Sequence, residues 1–246
     1  LNRRWLFKLQ FTVRTPRQYR KYGKSNSEQR NGLWNNNVVP YVLSSRYSEE
    51  ELVPKVYALW MLFRKSVIIQ ALFDLQLKAC FRFVKRTTQT DYLDIRPLDG
   101  CYSFVGRIGG PQLVSLASGC IAKYVIMHEI MHAIGFEHEH QRPDRDEYIK
   151  VIYANVQPEQ MSNFEKLSPS EVRTFGLSYD YKSIMHYEGT AFGKYDRITN
   201  QKLVTMVPLK EGISLLDNTE LSPSDIEKLN LIGECKGFSG FNLFTT

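Results

Sequence analysis

The chain has 246 residues, a formal net charge of +6, 43% hydrophobic residues, four cysteines and five histidines. That length suits one large domain or two small ones, either able to bury a core. The 24% charged fraction and the spread of aromatic residues exclude a disordered, collagen-like or fibrous chain.

Positive charge usually points to nucleic acid or a membrane surface, but here it is concentrated at one end. Residues 1–30 carry nine Lys or Arg against Glu28 alone, so the other 216 residues hold a net charge of −2. Residues 1–30 therefore read as a basic leader or propeptide remnant, 31–235 as the main domain and 236–246 as a short tail. A polyanion binder driven by the leader is the minor reading, and no nucleic-acid partner is expected.

A strand is expected over residues 38–43, where apolar residues follow an Asn- and Gly-rich run. Ser48 with Glu51 resembles a helix capping box, but Pro54 falls inside the helix it would start. The helix is instead expected over 54–79, opening on the proline. Its apolar part, 56–73, is broken by Arg64 and Lys65, so it reads as a buried helix and no membrane span. Short β-branched or aromatic runs at 80–84, 92–95, 102–105 and 113–116 predict a small sheet. Residues 123–135 are apolar on nearly every face and predict a second buried helix. The chain from 141 to 217 is loop-rich, and a last helix is expected over 223–231, capped by Ser222 with Asp225. No internal repeat or low-complexity tract is present.

Cys80, Cys101, Cys120 and Cys235 show no C-x-x-C spacing, which argues against a zinc finger. Two disulfides formed in an oxidising compartment fit the even count, and the sequence alone allows three pairings.

The histidines carry the chemistry. All five lie between 128 and 186, and His128-Glu129-Ile130-Met131-His132 reads H-E-x-x-H. Helical residues four apart differ by about 40° around the axis, so both imidazoles face one way and can share a zinc ion. Glu129 is then placed to reach a water without binding the metal. Chance gives this pattern in on the order of 1 in 150 chains of this composition, and Gly135 and His138 at their offsets make it far rarer. Gly135 can take φ > 0 and end the helix, letting His138 approach from another direction. Three histidines leave tetrahedral zinc one open position, as in catalytic sites.

The stretch His128–His138 matches H-E-x-x-H-x-x-G-x-x-H, the zinc motif of the metzincin peptidases. The longer run HEIMHAIGFEHEHQRPDRD, with Ser183-Ile184-Met185-His186-Tyr187 downstream, resembles the signature and Met-turn of the astacin family. The resemblance covers about residues 31–235. It implies an α+β, two-lobed metzincin-type zinc peptidase. The upper lobe would hold a small twisted sheet and long helices, the lower lobe would be irregular, and an active-site cleft would lie between.

The resemblance further implies one Zn2+ per chain on His128, His132 and His138, with Tyr187 as a further, displaceable ligand. Glu129 would be the general base, Tyr187 a transition-state stabiliser and Met185 an apolar floor. His140 and His186 match family positions that are not ligands. Glu139 would receive the ammonium of a new N-terminus at Asn31, after a cut following Arg30. The implied disulfides are Cys101–Cys120 and Cys80–Cys235.

No Asp precedes Asp74, so residues 1–30 lack the aspartate that astacin propeptides commonly place on the zinc. The stretch 54–79 is about two turns longer than the family's helix. The expected protein is a secreted, monomeric endopeptidase acting on protein or peptide substrates. The alternative is an inactive astacin-like binding module, disfavoured by the intact Glu129, Tyr187 and histidines.

Overall fold

The computed structural model describes residues 32–47 and 55–237, apart from the side chains of 55–61. The leader (1–30), the Ser48 and Glu51 pair, Pro54 and most of the tail lie outside the described residues. The chain divides into two compact units, one ending at Gly135 and resuming at Ile232, the other Phe136–Leu231.

The first unit is built on a five-stranded sheet of order β2-β1-β3-β5-β4. Its strands are β1 (Val38–Leu43), β2 (Arg82–Lys85), β3 (Tyr92–Arg96), β4 (Cys101–Ser103) and β5 (Pro111–Leu116). The pairs β2/β1, β1/β3 and β3/β5 are parallel, and β4 runs antiparallel on β5. Parallel neighbours need a crossover, and α1 (Lys55–Lys78) supplies it between β1 and β2. Two strands are shorter than their apolar runs. Strand β2 starts at Arg82, because Cys80 is engaged elsewhere by a disulfide. Strand β4 stops at Ser103, ahead of the turn at Gly106.

Helix α1 departs from the expectation of a buried helix. Arg64, Ile68, Ala71, Leu72 and Leu75 are buried along one face, while Leu62, Phe63, Ile69 and Phe73 are exposed. Spacings of three and four put the buried set on one stripe. The apolar residues outside that stripe hid it in the sequence. Within the stripe, Arg64 Nη2 donates to Ser118 Oγ at 2.7 Å. Asp74 pairs with Lys123 of α2 (Lys123–Ile134) at 2.9 Å.

The disulfides are Cys80–Cys235 and Cys101–Cys120, the pairing the resemblance implied. The second closes the hairpin side of the sheet onto the turn that launches α2. The first ties the end of α1 to the returning C-terminal segment.

The second unit is loops and 3-10 turns with one small antiparallel ladder, β6 (Ile149–Val151) on β7 (Met206–Pro208). Its one α-helix among the described residues is α3 (Pro223–Ile232), whose final residue belongs to the first unit. The capping expectation holds: Asp225 N donates to Ser222 Oγ at 2.9 Å, and Ser222 N donates to Asp225 Oδ2 at 3.0 Å.

Candidate active site

Helix α2 is buried from Val125 to Ile134, so its polar side chains sit in an apolar surround. His128 and His132, one turn apart, bring their Nε2 atoms to 3.1 Å. That separation suits an N–H···N hydrogen bond between opposite tautomers, and it equally suits two lone pairs turned to one metal ion. Two ligands of a tetrahedral zinc at ordinary Zn–N lengths would place those atoms roughly 3.3 Å apart. The donor pair therefore fits the ion.

Glu129 lies between them in sequence and is 1% exposed. Neither of its carboxylate oxygens has a hydrogen-bond partner among the described residues. Burial alone pushes its pKa up to about 8. An isolated buried carboxylate is costly, and costs of this kind collect at functional sites.

The end of α2 is fixed by its own unit. Gly135, at φ 132°, donates from its N–H to Met131 O and His132 O. Gly106 N donates to His132 O at 2.8 Å, and Trp34 Nε1 to Ala133 O at 2.8 Å. These bonds satisfy carbonyls that a helix terminus otherwise leaves open. Gly106 is itself obligatory, since at φ 70° a Cβ there would meet Gly32 O at 2.8 Å. The helix thus stops at Ile134, with Gly135 as its cap rather than its last residue.

The second unit begins immediately after. His138 is 2% exposed, and its Nδ1 faces Gln141 Oε1 at 3.1 Å. A proton on Nδ1 satisfies that oxygen and leaves the Nε2 lone pair for a metal. Among the described residues, His128 and His132 of the first unit and His138 of the second are each buried and each offer a ring nitrogen. They are candidate zinc ligands.

Tyr187 sits against His138, with ring centroids 4.4 Å apart, and stacks on His140 at 4.1 Å and 28°. His140 is oriented in turn by donating from Nε2 to Asn163 O at 3.0 Å. His186 donates from Nδ1 to Tyr187 O at 2.7 Å and accepts from the Tyr179 hydroxyl at 2.6 Å. Burial lowers its pKa and favours that neutral form. His140 and His186 thus both bear on Tyr187, one through its ring and the other through its backbone carbonyl.

The turn carrying Met185 is clamped from α3. Asp225 is fully buried and accepts from Ser183 Oγ at 2.6 Å and Ile184 N at 2.8 Å. Glu139 N donates to Met185 O at 3.0 Å. The Glu139 carboxylate accepts from Asp180 N and Arg142 Nη1, each at 3.0 Å, and from Lys228 Nζ at 2.6 Å. The expected partner of Glu139, an N-terminal ammonium, lies outside the described residues, and a lysine occupies the carboxylate here. Gln141, Tyr179, Asp225 and Lys228 were not singled out by motif reasoning as site residues. Gln141 and Arg142 stand inside the quoted signature, and Asp225 was read only as a cap.

A family model described as Astacin, a peptidase family, matches residues 26–233. The chain belongs to the astacin family. Among its relatives, zinc metalloproteinase nas-12 of Caenorhabditis elegans is 53% identical over 207 residues, covering 84% of this chain and 50% of that protein. Zinc metalloproteinase nas-6 of the same organism is 39% identical over 203 residues, covering 82% and 54%. Among solved structures, high choriolytic enzyme 1, a hatching enzyme zinc-protease from the medaka fish Oryzias latipes, superposes with a TM-score of 0.70. It is 32% identical, and the match covers 83% of this chain and 94% of that one. The astacin-type α+β fold is thereby established. This astacin chain spans about half the length of the curated relatives it matches.

Proposed function

We propose that this chain is a zinc-dependent endopeptidase domain that hydrolyses peptide bonds in protein or peptide substrates. The observation that carries the reading is Glu129, a buried carboxylate without a hydrogen-bond partner among the described residues, on the helical turn that presents His128 and His132. His128, His132 and His138 hold the zinc, which when bound supplies Lewis acidity and makes a water molecule acidic enough to lose a proton near neutral pH.

The protein's own residues then do the following. Glu129 takes the proton of the attacking water and returns it to the leaving amine nitrogen. The Tyr187 hydroxyl donates to the carbonyl oxygen as negative charge develops there, a contribution worth a few kcal/mol when the donor is held in place. The His140 stack and the His186 hydrogen bond hold that ring and its backbone.

Two disulfides fit a protein made for an oxidising, extracellular setting, and secretion is part of the reading. No helix among the described residues is long and apolar enough to cross a membrane.

The test is metal removal and return. Stripping with a chelator should abolish cleavage of a quenched fluorescent peptide, and adding zinc back should restore it with a break at one equivalent per chain. Full cleavage by the metal-free chain would overturn the proposal.

A further inference from the structure

Gln141 joins the third histidine to a loop of the same unit. Its side chain is buried and bonded at both ends. Oε1 lies 3.1 Å from His138 Nδ1, and Nε2 donates to Glu165 O at 3.4 Å. The backbone is held as well: Gln141 N donates to His138 O at 3.1 Å, and Leu167 N donates to Gln141 O at 2.8 Å.

The Glu165 carbonyl is one of a set. Three successive carbonyls, those of Asn163, Phe164 and Glu165, accept from His140 Nε2 at 3.0 Å, Arg145 Nη1 at 2.6 Å and Gln141 Nε2 at 3.4 Å. The Tyr153 hydroxyl adds a second bond to Phe164 O at 3.0 Å. Residues 163–165 are thereby fixed against the segment that follows His138.

A backbone carbonyl can only accept a hydrogen bond. The Gln141 amide therefore turns its NH2 toward Glu165 O, and its oxygen faces His138. That oxygen also only accepts, so the imidazole proton sits on Nδ1 and Nε2 keeps a lone pair. Turning the amide over would set oxygen against oxygen at Glu165 and move the imidazole proton to Nε2, where it would block a metal.

We propose that Gln141 is a positioning residue of the zinc site. Its amide, oriented by Glu165 O, holds His138 in the tautomer that can bind zinc through Nε2. This rests on the zinc-site reading above and adds to it a residue that is not itself a ligand. Hydrogen-bond partners of ligating histidines typically account for about 10–100-fold in metal affinity.

The experiment compares the parent chain with Gln141→Met and Gln141→Glu. Methionine keeps the length of the side chain and removes the acceptor, whereas glutamate keeps an acceptor and adds charge to it. Zinc release from the loaded proteins to a chromogenic chelator is timed. Imidazole nitrogen chemical shifts of the metal-free proteins, measured by NMR, report which nitrogen of His138 carries the proton. The parent should carry it on Nδ1. Gln141→Met should release zinc at least about tenfold faster, with the Nε2-protonated form appearing at His138. Gln141→Glu should release zinc no faster than the parent and keep the proton on Nδ1. A purely structural role for Gln141 would alter unfolding stability and leave the tautomer unmoved.

A Gln141→Met protein that holds zinc as long as the parent would overturn the proposal. So would a Gln141→Glu protein as leaky as Gln141→Met, or a metal-free parent with the His138 proton on Nε2. If Gln141→Met does not fold, the tautomer of the parent and the zinc release of Gln141→Glu decide the matter. A parent chain that binds zinc but cleaves nothing would refute the peptidase reading, while the zinc-release comparison would still judge Gln141.

Discussion

Asp225 offers the sharpest quantitative forecast. Its Oδ2 accepts both Ile184 N and Ser222 N, at 2.8 and 3.0 Å, and its Oδ1 accepts Ser183 Oγ at 2.6 Å. Asp225→Ala strands two buried N–H donors, since Ile184 and Ser222 are 4% and 6% exposed. Each stranded donor costs about 1–3 kcal/mol. The Ser183 hydroxyl can rotate, so it adds little. The sum is about 2–6 kcal/mol, or a melting temperature lowered by roughly 4–24 °C for a chain of this size.

Asp225→Asn behaves differently. With its amide oxygen in the place of Oδ2 it keeps both backbone donors, and its NH2 faces a hydroxyl that can accept. Its cost should be about 1–2 kcal/mol. Thermal unfolding followed by near-UV circular dichroism measures both variants. Equal losses for alanine and asparagine, or a fall below about 3 °C for alanine, would refute the assignment of the clamp to those two N–H groups.

Two further outcomes follow from the geometry. The Cys101–Cys120 bridge spans a sequence separation of 19, and replacing both cysteines with alanine should cost about 3 kcal/mol, measured by urea unfolding of the full chain. Asp144 is held below its usual value near 3.8 by the Arg142 hydrogen bonds, so its contribution is fully present above that pH. It is lost as pH falls through the depressed folded value. The stability gap between the parent and Asp144→Asn should therefore be constant from pH 5 to 7 and shrink below about 3.8, measured by unfolding at each pH.

Local chemistry was legible in the sequence wherever it was periodic or punctuated. The apolar run at Val38–Leu43, the Ser222–Asp225 cap and the Gly135 stop all appear where expected, because each is decided within a few residues. The H-E-x-x-H spacing was legible for the same reason, since helix geometry alone turns His128 and His132 toward each other.

What the sequence hid depends on distant residues. The buried stripe of α1 is masked by exposed Leu62, Phe63, Ile69 and Phe73, which carry the same apolar character as the buried side chains. Lys228 looks like any helical surface lysine. Only the fold brings it to Glu139, 89 residues earlier. Asp225 likewise satisfies its capping role locally, and nothing in the sequence marks its second task at Ser183 and Ile184.

Glu129 is proposed to move the proton in a zinc-dependent cleavage. The most direct measurement is peptide hydrolysis by the parent chain and by Glu129→Gln at matched, measured zinc content. One zinc per chain is expected in both proteins, with a fall in kcat of at least about a thousandfold in the variant, within the usual share of a general base. Hydrolysis by zinc-loaded Glu129→Gln within tenfold of the parent would contradict it.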